Sequence, residues 1–176
     1  MSITSRLYTV QNLPIGKISV MPRPRGGEWL SDEMKQLDYA GVDVLVSLLT
    51  PDEVSELELV DEAECCRVQG IIFLSYPITD LSIPPFSAAT FQLLEQLKAY
   101  LLAGKHVTTH CRAGLGRSVL IAASILILTG FAPERACEVL SDVRGYAVPE
   151  MPEQHAWLKD LPEKYQTYQL SFPREE

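Results

Sequence analysis

Positive charge is scarce in this chain: 15 Lys and Arg stand against 23 Asp and Glu among 176 residues, a formal charge of −8. That disfavours broad binding to nucleic acid or to an anionic membrane, both of which need a basic face. One small cationic pocket remains compatible with it, because charges more than about 8 Å apart are largely screened at physiological salt. Long apolar runs are missing as well. The longest, Val119 to Leu128, reads as a buried helix and falls short of the roughly 20 residues of a membrane span. The first residues, up to Lys17, lack the apolar centre of a secretory signal. The four cysteines, Cys65, Cys66, Cys111 and Cys137, have neither the density of a disulfide scaffold nor a Cys-x-x-Cys pair suited to zinc. A reducing cytoplasm fits this usage best. Repeats and low-complexity tracts are absent.

What is present suits one compact domain over residues 1–176: 47% of the residues are apolar and 22% charged, enough to build a single core. Clusters rich in Val and Ile alternate with segments of helical spacing, the pattern of an α/β layer fold. Strands are expected near Leu7–Val10, Ile15–Met21, Val42–Leu49, Ile71–Tyr76 and His106–His110. Helices are expected from Ser31 to about Ala40, after the cap Thr50-Pro51-Asp52-Glu53, over Glu58–Gln69, over Pro85–Ala103, over Arg117–Thr129 and over Pro133–Arg144. A last helix around Glu153–Leu161 is expected to stop at Pro162, and residues 171–176 are polar enough to fray.

The chemistry concentrates in His110-Cys111-Arg112-Ala113-Gly114-Leu115-Gly116-Arg117-Ser118. A strand ends in a cysteine, a glycine-rich turn follows, and a buried helix opens on Arg-Ser. In such a turn successive backbone N–H groups of Arg112, Ala113, Gly114, Leu115, Gly116 and Arg117 converge on one centre, and the helix N-terminus adds its positive dipole end. That is an anion cradle. Gly114 and Gly116 admit backbone angles and a close phosphate approach that a side chain would forbid, and Arg117 can fork onto two phosphate oxygens. A cysteine at the floor sits in a positive field that favours the nucleophilic thiolate. Ser118 can hydrogen-bond that sulfur when it departs.

The segment resembles the His-Cys-x5-Arg-Ser signature of cysteine-dependent protein phosphatases and is most similar to the dual-specificity group, within it to the cyclin-dependent-kinase-associated and cell-division-cycle phosphatases. Tyr76-Pro77-Ile78-Thr79-Asp80-Leu81-Ser82-Ile83-Pro84 resembles the general-acid loop of that family, 31 residues ahead of the cysteine. The resemblance implies a three-layer α/β fold whose central, mixed and mostly parallel sheet of about five strands is flanked by helices. It also implies metal-free and cofactor-free hydrolysis of phosphate monoesters through a phosphocysteine at Cys111, with Asp80 as general acid. Within it His110 is structural support for the loop, and Gln154 is the candidate for positioning the hydrolytic water. Arg112 adds charge at the rim; Arg23 and Arg25 read as solvated; Cys65 and Cys66 read as helix residues rather than redox partners of Cys111. The expected partner is a phosphorylated protein, with no nucleic acid and no membrane. Two alternatives stay open: the same chemistry on an inositol phosphate, lipid head group or RNA 5′ end, and a non-catalytic phosphate-binding module.

Overall fold

The computed structural model of the chain describes residues 2–171. All five expected strands are present, β5 (His106–His110) with the expected bounds and the others shorter than expected: β1 (Tyr8–Thr9), β2 (Lys17–Met21), β3 (Val44–Ser47) and β4 (Ile72–Ser75). They form one sheet in the order β1-β2-β5-β3-β4, with β1 antiparallel and all other pairs parallel. The expected mixed, mostly parallel α/β sheet is therefore the one observed.

Alternation along the strands divides the core in two. On β3, Val44 and Val46 face one layer and Leu45 the other; on β2, Ile18 and Val20 face the first layer and Met21 the second. The first layer holds α4 (Ala88–Leu102), α5 (Arg117–Leu128), α6 (Pro133–Arg144) and α7 (Pro152–Ser171). Every residue of α5 is buried, as its uniformly apolar sequence requires of a helix enclosed on all sides. The second layer is thinner, built from α1 (Leu30–Tyr39) and α3 (Glu62–Val68), and α2 (Pro51–Glu56) follows β3 at the carboxyl end of the sheet. Among the described residues no helix is long and apolar enough to cross a membrane.

Three helix boundaries differ clearly from expectation. The helix expected from Pro85 starts at Ala88, where Ser87 caps it by accepting from Thr90 N. The Glu58–Gln69 helix begins only at Glu62, because Glu58 adopts the left-handed conformation (φ 57°) and ends the preceding turn. The last helix does not stop at Pro162 but runs on to Ser171. Proline removes one backbone hydrogen bond from a helix, yet here an aromatic cluster holds the turns on both sides. Trp157 stacks on Phe86 at 4.6 Å, and Phe91 of α4 stacks on Tyr168 at 4.6 Å. Of the expected frayed tail, Ser171 is thus helical, and the remaining residues lie outside those described.

Because Phe91 joins α4 to the far side of the proline, Phe91→Ala should lower the unfolding free energy by about 3–5 kcal/mol. Urea denaturation followed by circular dichroism measures this; a loss below about 1 kcal/mol would mean that the cluster is not what carries α7 past Pro162.

Candidate active site

The strand-to-helix turn between β5 and α5 lies at the carboxyl edge of the parallel strands, the usual place for a site in an open α/β sheet. Its shape follows from where its carbonyls go. The Cys111 carbonyl lies 3.4 Å from His110 Nδ1. The Arg112 carbonyl accepts from Arg23 N at 3.2 Å. Arg144 donates from Nη2 to the Ala113 carbonyl at 3.5 Å and from Nε to that of Gly114 at 2.9 Å. The Leu115 carbonyl accepts from Glu150 N at 3.1 Å and that of Gly116 from Leu120 N at 2.8 Å. A trans peptide points its N–H opposite to its C=O. With six successive carbonyls drawn outward, the N–H groups of residues 112–117 are left to face the interior of the turn.

Both glycines are needed for that path. Gly114 has φ +73°, and a Cβ there would lie 2.7 Å from the backbone of Met21 and Pro22. At Gly116 a Cβ would come within 3.0 Å of Gln154 Nε2 and 3.1 Å of Glu150 Oε1. Cys111 lies at the floor and is buried, at 3% exposure. Gly114 N donates to Sγ at 3.3 Å, and Ser118 Oγ lies 3.3 Å away. Thr109 Oγ1 donates to the Ser118 carbonyl at 2.8 Å, tying the end of the strand to the start of the helix.

Arg117 is almost fully buried. Its Nη1 donates to Glu53 Oε2 at 2.7 Å and to the Ile78 carbonyl at 2.8 Å, while Nη2 meets Glu53 Oε1 at 2.9 Å and Asp80 Oδ1 at 3.0 Å. Among the described residues its Nε is buried with no partner, a donor left over for an anion. Asp80 is half exposed at the mouth, on a turn where Oδ1 also accepts from Leu81 N at 3.0 Å and Leu81 takes a left-handed φ of 58°. The expected nucleophile, cradle and acid are therefore brought together. Gln154 arrives too: it is buried beside Gly116, and its Nε2 donates to the Ser82 carbonyl at 3.2 Å, linking α7 to the acid loop.

The expectations about arginine need refinement, whereas Cys65 and Cys66 are helix residues as expected. Arg112 does not offer a free charge at the rim, because its guanidinium is committed to Glu56 at 2.8 Å and Glu53 at 3.4 Å. Arg25 is not simply solvated: it pairs at 2.8 Å with the fully buried Glu33, which also holds Arg6 at 2.9 Å. Arg23 donates from Nη1 to the Pro24 carbonyl, and its backbone braces the cradle. Cys66 is buried with Sγ 3.3 Å from Met34 Sδ, and burial, then the nearby Glu62, pushes its thiol up; Cys65 is pushed up by the same two kinds of cause.

Glu53 and Arg144 escaped the sequence reading. Glu53 was legible only as the third residue of a capping box, which it does form with Thr50. Its hold on Arg117, 64 residues away, left no local trace. Arg144 stands just before a helix-ending glycine, an ordinary place for a basic residue, and there it also lies over the Tyr8 ring at 4.0 Å.

A five-stranded α/β sheet ending in a cysteine-floored anion loop, with an aspartate loop beside it, defines the cysteine-dependent phosphatase class. Residues 19–131 match the family model described as "Polymorphic toxin system, DSP-PTPase phosphatase", and the chain belongs to that family. Cyclin-dependent kinase inhibitor 3 of Rattus norvegicus is 26% identical over 141 residues, covering 79% of this chain and 66% of that protein. The Homo sapiens protein of the same name is 28% identical over 134 residues, covering 75% and 63%. The chain thus spans just under two thirds of the length of these relatives. In structure it is similar to kinase associated phosphatase with its catalytic cysteine changed to serine: TM-score 0.83, 22% identity, 94% of this chain and 97% of that one. It is also similar to PTPMT1 in complex with PI(5)P, at TM-score 0.71 and 20% identity over 86% and 93%.

The Glu53–Arg117 pair generates a pH prediction. Hydrogen bonds from Arg117 hold the Glu53 carboxyl at about 2, below its ordinary 4.5, against the opposing effect of burial. Its contribution to stability is then complete above about pH 4.5 and is lost as pH falls toward 2. His106, at the other end of β5, is driven down from 6.5 to about 4, first by burial and then by Lys17. The unfolded chain takes up that proton first, so stability also falls between pH 6.5 and 4. Urea denaturation across this range should show both stages in the native chain. In Glu53→Gln the upper stage should remain and the lower one shrink, and an unchanged lower stage would contradict the assignment.

Proposed function

We propose that this protein is a cytoplasmic phosphoprotein phosphatase that hydrolyses phosphate monoesters through a phosphocysteine intermediate on Cys111. The observation that carries this reading is the cradle itself: six outward-tied carbonyls around a buried sulfur, with a buried guanidinium whose Nε has no partner. In the first step the Cys111 thiolate attacks phosphorus, the phosphorus–oxygen bond to the leaving group breaks, and Asp80 gives that oxygen its proton. In the second, water attacks phosphorus, its proton passes to the ionised Asp80, and the sulfur–phosphorus bond breaks to release inorganic phosphate. The inward N–H groups of residues 112–117 and Arg117 stabilise the equatorial oxygens throughout, and Ser118 Oγ stabilises the departing sulfur. Gln154, beside Gly116 and tied to the acid loop, is placed to orient the water.

The position of Asp80 adds a feature of the resting enzyme. Its carboxylate lies on the same guanidinium that takes up the phosphate, 3.0 Å from Arg117 Nη2. An arriving oxyanion displaces it toward the mouth, where the leaving oxygen stands. A protein monophosphate fits this site better than a polyphosphate. Arg112, the one other basic side chain of the loop, is already paired with Glu53 and Glu56, leaving the loop without a spare cation for a second phosphate.

Turnover of phosphotyrosine peptide, phosphothreonine peptide and inositol phosphate, with Cys111→Ser as blank, tests the substrate class; a clear preference for the inositol phosphate would overturn it. Cys111→Ser should abolish turnover and keep oxyanion binding. Asp80→Ala should slow an alkyl phosphate by about 10²–10⁴-fold and an aryl phosphate by less, while binding tungstate more tightly than the native chain. Equal losses on both esters, or weaker tungstate binding, would mean that Asp80 is not the acid displaced from Arg117.

A further inference from the structure

The chemistry above makes no use of one buried charged group. Glu62 is the first residue of α3 and is 2% exposed, and its Oε1 lies 2.7 Å from Nε2 of the fully buried His110. His110 ends β5 immediately before the nucleophile. Because side chains alternate along a strand, Thr109 reaches α5 while His110 turns to the opposite layer, where α3 packs. The carboxylate lies off the axis of the ring N–H, so the contact is a close approach of the two polar groups rather than a linear hydrogen bond. The other ring nitrogen, Nδ1, lies 3.4 Å from the Cys111 carbonyl. The imidazole thus spans from a carboxylate in the thin layer to the backbone of the cysteine. Its register neighbours on the flanking strands, Met21 and Ser47, carry no charge, and the one ion pair it makes among the described residues is with Glu62.

A carboxylate this deeply buried needs a proton or a cation beside it, and an apolar residue at the same place would stabilise the fold at least as well. Packing alone therefore does not account for Glu62. We propose that Glu62 is a positioning residue of the phosphatase site, acting through His110. It holds the ring where Nδ1 donates to the Cys111 carbonyl. That fixes the Cys111–Arg112 peptide with its carbonyl outward and the Arg112 N–H turned into the cradle, and it sets the backbone from which the sulfur projects. The inference rests on Cys111 being the nucleophile.

The test is a double-variant cycle of Glu62→Gln, His110→Asn and the pair together, with Glu62→Asp as the conservative replacement. Two readouts are taken: the rate at which iodoacetate alkylates Cys111, followed on its own peptide by mass spectrometry, and kcat and KM on p-nitrophenyl phosphate. Glu62→Gln should slow both alkylation and kcat on the order of 10-fold, with KM changed by less than about 3-fold. Glu62→Asp should recover most of the loss, and in the His110→Asn background Glu62→Gln should cost almost nothing further. Native rates in Glu62→Gln, or losses that multiply in the double variant, would overturn the proposal. So would a lowered melting temperature in Glu62→Gln whose folded fraction reacts at the native rate, since that is a structural role only. Alkylation does not depend on turnover, so a native chain inactive on every phosphate ester would sink the phosphatase reading and leave the cycle readable.

Discussion

Peptide planarity is the constraint on which this molecule turns. A loop can aim its amides at one point only if something outside takes its carbonyls, and here the takers come from the neighbouring strand and helix and from three distant parts of the chain. Arg23 belongs to the loop after β2, His110 to the strand itself, Leu120 to the following helix, Arg144 to the end of α6 and Glu150 to the segment before α7. The thicker helical layer and the loop after β2 do more than cover the sheet: α5, α6, the segment before α7 and that loop each deliver a donor to the outer surface of one turn. Arg144 reaches it because α6 packs against α5 and β1, with Tyr8 beneath the guanidinium. Removing any of these segments would leave a buried carbonyl without its partner, and a carbonyl turned inward would repel an anion.

The chain resolves an electrostatic conflict in the same place. It is acidic overall, yet the proposed reaction asks the turn to hold a sulfur anion beneath an oxyanion. Most of the arginines near the cradle are neutralised: Arg6 and Arg25 by Glu33, Arg112 by Glu56 and Glu53, Arg117 by Glu53 and Asp80. What remains positive is directional rather than net, namely main-chain dipoles, the start of α5 and one unpartnered guanidinium nitrogen. Such a field acts over a few ångströms and fades beyond the Debye length. A chain of formal charge −8 can therefore carry it without becoming a general anion binder.

How much of this was legible in the sequence depended on how local each signal is. The strands were found because β-branched clusters bounded by turns depend only on near neighbours. The candidate nucleophile, cradle and acid stood out because their spacing resembles one family signature, and the structure brings them together. The breaks came where tertiary contacts overrode local rules. Glu58 enters the left-handed region while its own backbone carbonyl accepts from Gly27, and Pro162 sits inside a helix because aromatic residues on either side hold it. Glu53 and Glu56 are both acidic residues of one short helix, and nothing in the sequence tells the one that grips Arg117 from the exposed one. Arg25 looked solvated because its partner, Glu33, lies eight residues on in the next helix, where an acidic first turn is already explained by the helix dipole.

The two buried carboxylates that flank the loop make the strongest case that these charges are kept for the site. Glu53 approaches from the acid-loop side onto Arg117, and Glu62 from the thin layer onto His110. Both stand at the start of short helices, where a carboxylate is favoured by the dipole if left in water, yet both are buried. Withdrawing an ion from water costs several kcal/mol, which a hydrophobic pair of similar volume would avoid. If stability alone governed these positions, apolar side chains would serve them better. Each carboxylate instead fixes one cation-capable side chain at one end of a short stretch, His110 before the cysteine and Arg117 after the turn. With the carbonyls between already tied, the cradle is clamped at both ends as well as along its outer edge. An anion then meets donors that have no freedom left to lose, and binding does not spend its energy on ordering them.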